Sequence, residues 1–591
     1  MGRSRGGASR RQGVAVVSRF LFMGHGFFLS LVMVLPLLRN AWDPWAQTLV
    51  LGAWAFWIGL GAVMVWRRRA AFPALEGTLR AWGPLWGGVL VLALVSMAFS
   101  AHPHSAVPGA LLDFSTAAFF FLGAGLSGEK RAYYRRALAG AGVLAGVVAL
   151  VLDGLRSPAV GVAVNPNALA SLILLAFPVA IGLWRAPSGS GKRWAWAAAA
   201  ASLGVSVVLS RSLGALVVLG AQMVFLWWAL NEGRRRRSGL LLGGIGAALV
   251  IAGVLLDRSD WAKFAGDPDR WAWWRTAWNM IRSHPGLGVG PGAFGEAYPL
   301  FRERIWGLNS LYAHNGYLEW LAERGVLGGG LLVAWVGRVL WISWREGHTK
   351  EDRCLWAALL GVLLFNGANI GFSFPALLWL FAFACGLVLP EVRGGNPGAP
   401  GFRRWIALGG ATVFILAFAA SFAVFRAGQM LEKGRAAFFQ KDVAGARRWA
   451  DRGLRWDPRS PELHALRAGA LFQEGDRAGA LLGLSESVRR APGAAGFRMD
   501  RAELFLAMER PVNALEDYTA VNRLLPLFFP AWERRGDLLV AAGRGGEARS
   551  AYENGLTALN NPRSSARGQN KGVARERLET KIRGLEANAP H

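Results

Sequence analysis

The chain has 591 residues, 53% of them hydrophobic and only 18% charged, and it includes 28 Trp and 33 Phe. Soluble domains carry about 25% charged residues, so this composition excludes a disordered chain and indicates a protein that crosses a membrane many times. The net charge of +28 would suggest nucleic-acid binding in a soluble protein, but in a membrane protein it reflects Lys and Arg in cytoplasmic loops, so no nucleic-acid partner is expected.

Stretches of about 20 apolar residues predict the membrane spans in chain order. The first is too long for a cleaved signal peptide and is expected to remain as an anchor. The predicted fold class is therefore all-α, a polytopic membrane protein with about 12–13 transmembrane helices. The predicted spans, each set to within several residues, are 14–38, 47–66, 83–100, 110–126, 137–155, 168–184, 195–210, 213–230, 239–256, 325–343, 355–372, 374–390 and 405–425.

Clusters of Arg and Lys predict the orientation of the spans, because cytoplasmic loops are enriched in these residues. If the loops that carry them face the cytoplasm, the N-terminus lies inside. The long loop (residues 257–324) and the tail (residues 427–591) then lie outside, after a membrane domain over 1–426. The basic clusters fall in alternate loops, at 3–11, 67–69, 130–136, 192–193, 234–237, 345–350 and 403–404.

The tail carries an internal repeat of 34 residues, which resembles the tetratricopeptide repeat. In that repeat small residues let two helices cross closely, and Pro ends the second helix. About four such pairs are enough to bury a shared core. We expect a helical solenoid that binds an envelope protein or positions an acceptor, and that takes no part in the active cavity. The alternative is a generic helical bundle. The repeating positions are Gly434, Ala468, Ala502 and Gly536; Ala446, Ala480, Ala514 and Ala548; and Pro458, Pro492 and Pro526.

The long loop contains the motifs that indicate a catalytic function. Residues 270–294 read RWAWWRTAWNMIRSHPGLGVGPGAF, and residues 313–325 read AHNGYLEWLAERG. The first segment has a helical period, and Pro285 with the glycines after it ends that helix. In the second segment His314 is expected at the start of a helix that leads into the next span. The period places these residues on one face of the first helix: Arg270, Trp274, Ala277, Trp278 and Ile281.

These two segments resemble the O-antigen ligase/polymerase family of bacterial envelope proteins. The resemblance covers about 160–390 and rests on the order and spacing of Arg270, Trp274, the His-Pro and glycine motif, and the His-Asn motif. Asn165-Pro166-Asn167 and Ser210-Arg211-Ser212 are shorter matches that support it. One segment departs from the family, in which many members with such a tail have His and Asp near the eleventh span. This chain has Asn366, Asn369 and Ser373 there.

The resemblance implies a glycosyltransferase without metal or other cofactor, in the inner membrane of a bacterium. Its donor would be a glycan on undecaprenyl diphosphate, presented at the periplasmic face. The acceptor would be lipid A-core in a ligase, the growing glycan in a polymerase, or a protein hydroxyl in a protein oligosaccharyltransferase. Membrane lipids and an envelope protein bound by the tail are the other expected partners.

Arg211, Arg270 and Arg275 are the candidates for binding the diphosphate, because the planar guanidinium donates two hydrogen bonds to phosphate. Arg211 falls between two apolar spans, where a charge needs an anionic partner or a watery cavity. Arg275 lies on another helix face, where pairing or solvation is the alternative. His314 is the candidate general base, since its pKa is poised near neutral pH; its alternative is to cap the helix.

Trp274, Asn315 and Glu323 are predicted to support these residues. Glu319 and Glu323 are expected to pair with partners such as Arg324 rather than to act as general acids. The glycines at 288, 290 and 292 resemble a phosphate-binding loop only superficially, because no strand precedes them and no GK[ST] follows. Metal catalysis is the less favoured reading, since no Asp-x-Asp motif occurs in an outer loop, and two cysteines are too few for a zinc site.

Two other classes of function remain open. A transporter of the lipid-linked sugar would spread its polar groups through the middle of the spans, in matching halves. Here they gather at one predicted face, which favours an enzyme. A silent membrane scaffold that recruits partners through the tail is the third possibility.

Overall fold

The structure of the protein is a computed structural model. Its regular structure is helical throughout the described residues, and no strand occurs among them. The all-α fold class predicted from the sequence is therefore confirmed. The described residues are 48–50, 52, 73–126, 128–154, 166–186, 190–210, 212–230, 268–303, 310–347, 349–391, 400–561 and 571–587.

The apolar part of the chain forms long helices because each combines about 20 apolar residues with few charges. Glycine and proline mark many of their ends, such as Pro166 at the start of one helix and Gly347 after another. The helices are α1 Pro73–Phe99, α2 Pro103–Ala124, α3 Glu129–Gly154, α4 Pro166–Arg185, α5 Ser190–Leu209, α6 Leu213–Leu230, α7 Pro268–Ser283, α8 Phe294–Phe301, α9 Gly316–Glu346, α10 Lys350–Asn366, α11 Pro375–Val388 and α12 Pro400–Phe439.

Within the described residues, five helices are long and apolar enough to cross a membrane. The multi-pass character predicted from composition is thus confirmed. The predicted spans 14–38 and 239–256 lie outside the described residues, as does nearly all of 47–66. The five segments are Gly77–Phe99, Pro103–Ala124, Asn167–Arg185, Leu213–Leu230 and Gly316–Glu346.

Helix α12 is a single run of 40 residues. At 1.5 Å per residue it is about 60 Å long, about twice the thickness of the hydrocarbon core of a bilayer. It contains the predicted span 405–425, and its last turns contain Gly434, the first small residue of the repeat. One helix thus connects the segment predicted as the last span with the first helix of the repeat.

The tail folds into helix pairs with a period of 34 residues. One series of helices starts at 443, 477, 511 and 545, and the other at 461, 495 and 529. Asp442 and Asp476, 34 residues apart, each cap a helix by accepting the backbone N–H of the glycine three residues on, at 2.8 Å. The helices are α13 Val443–Trp456, α14 Pro461–Gln473, α15 Arg477–Arg490, α16 Ala495–Ala507, α17 Pro511–Leu524, α18 Phe529–Ala541, α19 Gly545–Asn560 and α20 Lys571–Ala587.

The small residues of the repeat lie where the helices of a pair cross. Ala446, Ala480, Ala514 and Ala548 are all fully buried. A β-carbon on Gly536 would overlap the ring of Tyr552 on the next helix. The helix pairs therefore approach closely because these side chains are absent or minimal, which explains the register read from the sequence.

By their internal contacts, the residues form two compact units. The membrane unit comprises Met1–Val95, Ala110–Asp267 and His314–Phe422. The repeat unit comprises Ser96–Gly109, Pro268–Ala313 and Ala423–His591. The central part of the long loop thus belongs with the tail, whereas the sequence analysis expected an independent tail.

Candidate functional site

In the membrane unit, segments that are far apart in sequence meet around a buried polar cluster. The Ser212 hydroxyl donates to Asn167 Oδ1 at 2.8 Å, which joins the two shorter motifs. Gly214, two residues on, faces the side chain of Asn369, since a β-carbon on it would lie 3.6 Å from Asn369 Nδ2. The segment with Asn369, which departs from the family pattern, therefore packs against the motifs that resemble the family.

Asn366 organises the tight turn between α10 and α11. It is fully buried, its Nδ2 donates to the Val362 carbonyl at 2.8 Å, and its Oδ1 accepts the backbone N–H of Phe372 at 2.9 Å. Gly371 in this turn lies close to Asn366 and to the Ser171 hydroxyl, so a β-carbon would fall within 2.7 Å of both. The Ser171 hydroxyl is buried without a hydrogen-bond partner among the described residues.

His314 lies at the entrance to α9. Its φ is 53°, in the left-handed region that few non-glycine residues adopt, and its side chain is half-buried. The helix itself begins at Gly316, and Asn315 is its N-cap, accepting the backbone N–H groups of Tyr317 and Leu318, each at 3.1 Å. Asn315 therefore caps this helix, and not His314, for which capping was the alternative role.

Gly316 brings the start of α9 against the turn at Asn366. A β-carbon on Gly316 would lie 3.0 Å from the Phe372 ring and 3.6 Å from the Asn366 carbonyl. Three residues on, the buried carboxylate of Glu319 accepts a hydrogen bond of 2.6 Å from the Ser373 hydroxyl. Ser373, one of the three residues that depart from the family, therefore supports a carboxylate instead of supplying one.

Arg324 forms a buried network of charges. It donates to both carboxylate oxygens of Asp113 on α2 and, at 2.8 Å, to Glu323 on its own helix. The pairing of Glu323 with Arg324 predicted from the sequence is confirmed. The part played by Asp113 was not predicted, because a single Asp within an apolar span gives no sign of its partner.

In the repeat unit, α7 carries the candidate arginines of the long loop. Ala277 and Ile281 are buried as predicted, but Trp278 is 55% exposed, so the predicted face is wrong there. The buried face instead includes Thr276 and Met280, which are smaller or more flexible than Trp and pack closely. Arg270 is half-buried at the start of this helix, and the buried indole N–H of Trp274 has no hydrogen-bond partner among the described residues.

Contacts with the end of α8 hold α7 in place. Arg275 Nη1 lies 3.2 Å from Glu303 Oε2, and the Arg275 side chain is 63% exposed. This is the pairing that the sequence analysis left open for Arg275. Asn279 Nδ2 donates to the Phe301 carbonyl at 3.1 Å, and the His284 ring packs edge-on against the Phe301 ring.

The glycines of the long loop have a structural role. Gly288, Gly290 and Gly292 have φ values of 71°, 121° and 70°, which side-chain-bearing residues rarely adopt. Gly292 also faces the backbone of Ser105 and Gly109. The Ser100 hydroxyl donates to the Val289 carbonyl at 2.8 Å. The glycine loop therefore packs against the chain that enters α2.

A group of polar residues surrounds Glu296 on α8. His102 is buried, with Nδ1 3.4 Å from Glu296 Oε2, and the Ser105 hydroxyl donates to Oε1. Burial would raise the pKa of Glu296, but His102 and Ser105 outweigh it and keep this pKa below its ordinary value. His104 bonds through Nδ1 to Asp457 Oδ2 at 2.9 Å.

The predicted site residues divide between the two units. Arg270, Trp274 and Arg275 belong to the repeat unit, and His314, Asn315 and Glu323 to the membrane unit. Arg211 lies outside the described residues, although Ser210 and Ser212 on either side of it are described. The roles of all these residues stay predictions.

Residues 196–333 match the protein family described as O-antigen ligase. The matched segment spans Arg211, Arg270, Arg275 and His314, and it is the family that the motifs resembled. The match supports a multi-pass membrane protein with a glycosyltransferase-like activity of the ligase or polymerase type.

Several solved structures are weakly similar to this chain. The crystal structure of MamA protein is 15% identical over 27% of this chain and 91% of its own, with a TM-score of 0.22. The APC/C hetero-tetramer Cut9-Hcn1 is 12% identical over 80% and 87% of the two chains, with a TM-score of 0.23. Yeast Tom70 is 10% identical over 78% and 92%, with a TM-score of 0.24. At these TM-scores the likenesses carry no structural argument, and no curated protein matches the chain.

Proposed function

We propose that the chain is a glycosyltransferase of the bacterial inner membrane, on the basis of the match of residues 196–333 to the family described as O-antigen ligase. It transfers a glycan from an undecaprenyl-diphosphate carrier to an acceptor hydroxyl at the periplasmic face. The acceptor of an O-antigen ligase is lipid A-core, and this is the acceptor we propose here.

The observation that carries the proposal is the meeting of four motif segments in the membrane unit. Asn167 contacts Ser212, Gly214 faces Asn369, and Gly316 faces the turn at Asn366. Polar groups of this kind are costly inside a membrane protein unless they serve binding or catalysis, or satisfy one another. Their gathering at the entrance to α9, next to His314, supports a reaction site there rather than a transport path along the spans.

In the proposed reaction, the acceptor hydroxyl oxygen attacks the anomeric carbon of the donor sugar. The bond from that carbon to the diphosphate oxygen breaks, and the lipid diphosphate leaves with the bonding electron pair. Arg211, Arg270 and Arg275 stabilise the charge that develops on the diphosphate. His314 accepts the proton of the hydroxyl.

Asn315, Trp274 and Glu323 have supporting roles in this proposal. Asn315 fixes the first turn of α9 through its two hydrogen bonds to backbone N–H groups. Glu323 holds Arg324, which joins α9 to α2. Trp274 lies one helical turn after Arg270 on α7, where an aromatic ring can pack beside the arginine stem or a sugar.

Deletion of the gene, followed by electrophoresis of the lipopolysaccharide, tests this function. A ligase predicts loss of all long chains, with the polymer retained on its lipid carrier. A single repeat unit on the core would identify a polymerase instead, and normal lipopolysaccharide with underglycosylated envelope proteins would identify a protein oligosaccharyltransferase.

The orientation belongs to the same proposal, with the N-terminus in the cytoplasm and the tail in the periplasm. A phosphatase reporter fused after residue 591 should be active, because the enzyme requires the periplasm. Activity of a cytoplasmic reporter at the same position would contradict the orientation.

A further inference from the structure

One edge of the solenoid is formed by the turns that connect successive repeats. These turns, at 457–460, 491–494 and 525–528, each close with a backbone hydrogen bond from the last residue to the first. They recur at 34 residues and so lie side by side, as equivalent parts of stacked repeats do. All of them belong to the repeat unit, together with α8 and the first residues of α2.

Each of the three turns, or the residue next to it, contacts α2, α8 or Arg302 directly after α8. Asp457 at the first turn bonds to His104. Burial would raise the pKa of Asp457, but His104 and the backbone N–H of Arg459 outweigh it and keep this pKa below its ordinary value. The carboxylate is therefore ionised at neutral pH and suited to hold the imidazole.

Gly493 in the second turn lies against the backbone of α8. A β-carbon at this position would overlap the Glu296 carbonyl and lie 3.5 Å from the ring of Pro299. The absence of a side chain thus lets the turn and the helix meet backbone to backbone. Any larger residue must push the two apart, since a backbone carbonyl cannot rotate away as a side chain can.

Arg302 reaches the last of the three turns. It is buried directly after α8, and its guanidinium donates to the carbonyl of Leu524, the residue before this turn. A carbonyl at the end of α17 needs such a donor because it has no partner within the helix. The three contacts together run along the same edge of the solenoid.

The end of α8 in turn holds α7. Phe301 accepts from Asn279 and packs against His284, and Glu303 pairs with Arg275. A continuous series of contacts therefore leads from the repeat turns through α8 to the helix that carries Arg270 and Arg275.

We propose that the inter-repeat turns of the tail hold α8 in place, and that α8 in turn positions α7 for binding of the donor diphosphate. The proposal rests on the proposed function for its consequence, since it assigns Arg270 and Arg275 to the donor. Gly493, Asp457 and Arg302 are then positioning residues that never touch substrate. The tail acts on donor binding, in addition to any partner that it recruits.

The variant Gly493→Ala tests whether the turns hold α8. Gly496→Ala is its matched control, because a β-carbon on Gly496 meets nothing within 4 Å. Hydrogen exchange of the full-length protein in nanodiscs measures the opening of residues 284–303. For Gly493→Ala we expect exchange there to be at least about tenfold faster, the factor that corresponds to about 1.4 kcal/mol. For Gly496→Ala we expect no change.

The same variants are assayed for transfer with undecaprenyl-diphosphate-linked glycan. Gly493→Ala should raise the KM for this donor and leave kcat nearly unchanged, since the catalytic groups remain. Unchanged hydrogen exchange at 284–303 in a folded Gly493→Ala protein would contradict the proposal that the turns hold α8. Faster exchange with an unchanged donor KM would overturn the positioning of α7.

Asp457→Asn provides a second test if Gly493→Ala disturbs folding of the tail. It keeps the size of the side chain and removes the charge that holds His104. Its control is Asp451→Asn, which weakens an exposed pair with Arg467. Absence of transfer by the wild-type protein would contradict the proposed function alone. The hydrogen-exchange measurement would still decide whether the turns hold α8.

Discussion

Arg324 donates from Nε and Nη2 to the two carboxylate oxygens of Asp113, at 2.9 and 2.8 Å, across 211 positions of sequence. Both side chains are almost completely buried, and Glu323 completes the network from the other side of the guanidinium. The two parallel hydrogen bonds compensate for the loss of hydration that the charged side chains undergo on burial. It joins α2 to α9 ten residues after His314.

We predict that Asp113→Ala destabilises the protein strongly. Removing one partner leaves the Arg324 guanidinium with Glu323 alone, and breaking a buried pair costs about 3–5 kcal/mol. Thermal unfolding of the purified protein in detergent measures the effect. The control is Glu432→Ala, which removes an exposed pair with Arg435 and should leave the midpoint nearly unchanged. Equal midpoints for the two variants would show that the buried network contributes nothing.

His314→Asn should abolish transfer without loss of membrane abundance. Asn is the substitution of choice because it tolerates the left-handed backbone that His314 adopts, so only the imidazole is lost. Loss of a general base lowers the rate by about 10²–10⁴-fold. Transfer is measured with the lipid-linked donor in membranes, against wild-type protein at equal abundance. Normal transfer by an abundant His314→Asn protein would remove the general-base role.

Arg270→Lys and Arg211→Lys should each impair transfer although they keep the charge. A point charge cannot replace the two-pronged hydrogen bonding of a guanidinium to a diphosphate. Loss of one charge-assisted hydrogen bond costs about 1.5–3 kcal/mol, so the donor KM should rise about 10- to 100-fold. The control is Arg282→Lys at the other end of α7, where the side chain is exposed. Wild-type kinetics for both variants would contradict the diphosphate site.

Gly536→Ala should unfold the last repeats, because the added β-carbon overlaps the Tyr552 ring where α18 and α19 cross. Limited proteolysis of the full-length protein should then cleave within 511–587 while the membrane part stays intact. Gly546→Ala is the matched control, since nothing lies within 4 Å of its β-carbon, and Ala favours a helix over Gly. Equal resistance of both variants would show that the crossing tolerates a side chain.

Hydropathy and spacing were sufficient to predict the all-α class, the multi-pass character and the 34-residue repeat. These features are local, because a span needs only its own apolar residues and a repeat needs small residues where neighbouring helices cross. Ala480 and Ala514 could be assigned to helix crossings from the sequence for this reason. The His-Asn motif likewise located the entrance to α9 within two residues, since Asn315 is a recognisable N-cap.

The tertiary structure alone decided which distant residues meet. Asp113 and Arg324, Asp457 and His104, and Gly493 and the Glu296 carbonyl are pairs that no period in the sequence connects. Such contacts depend on how separate helices pack, and packing depends on shape and on the satisfaction of buried polar groups, which act through space. For the same reason Trp278 remained exposed although its period placed it beside Ala277 and Ile281.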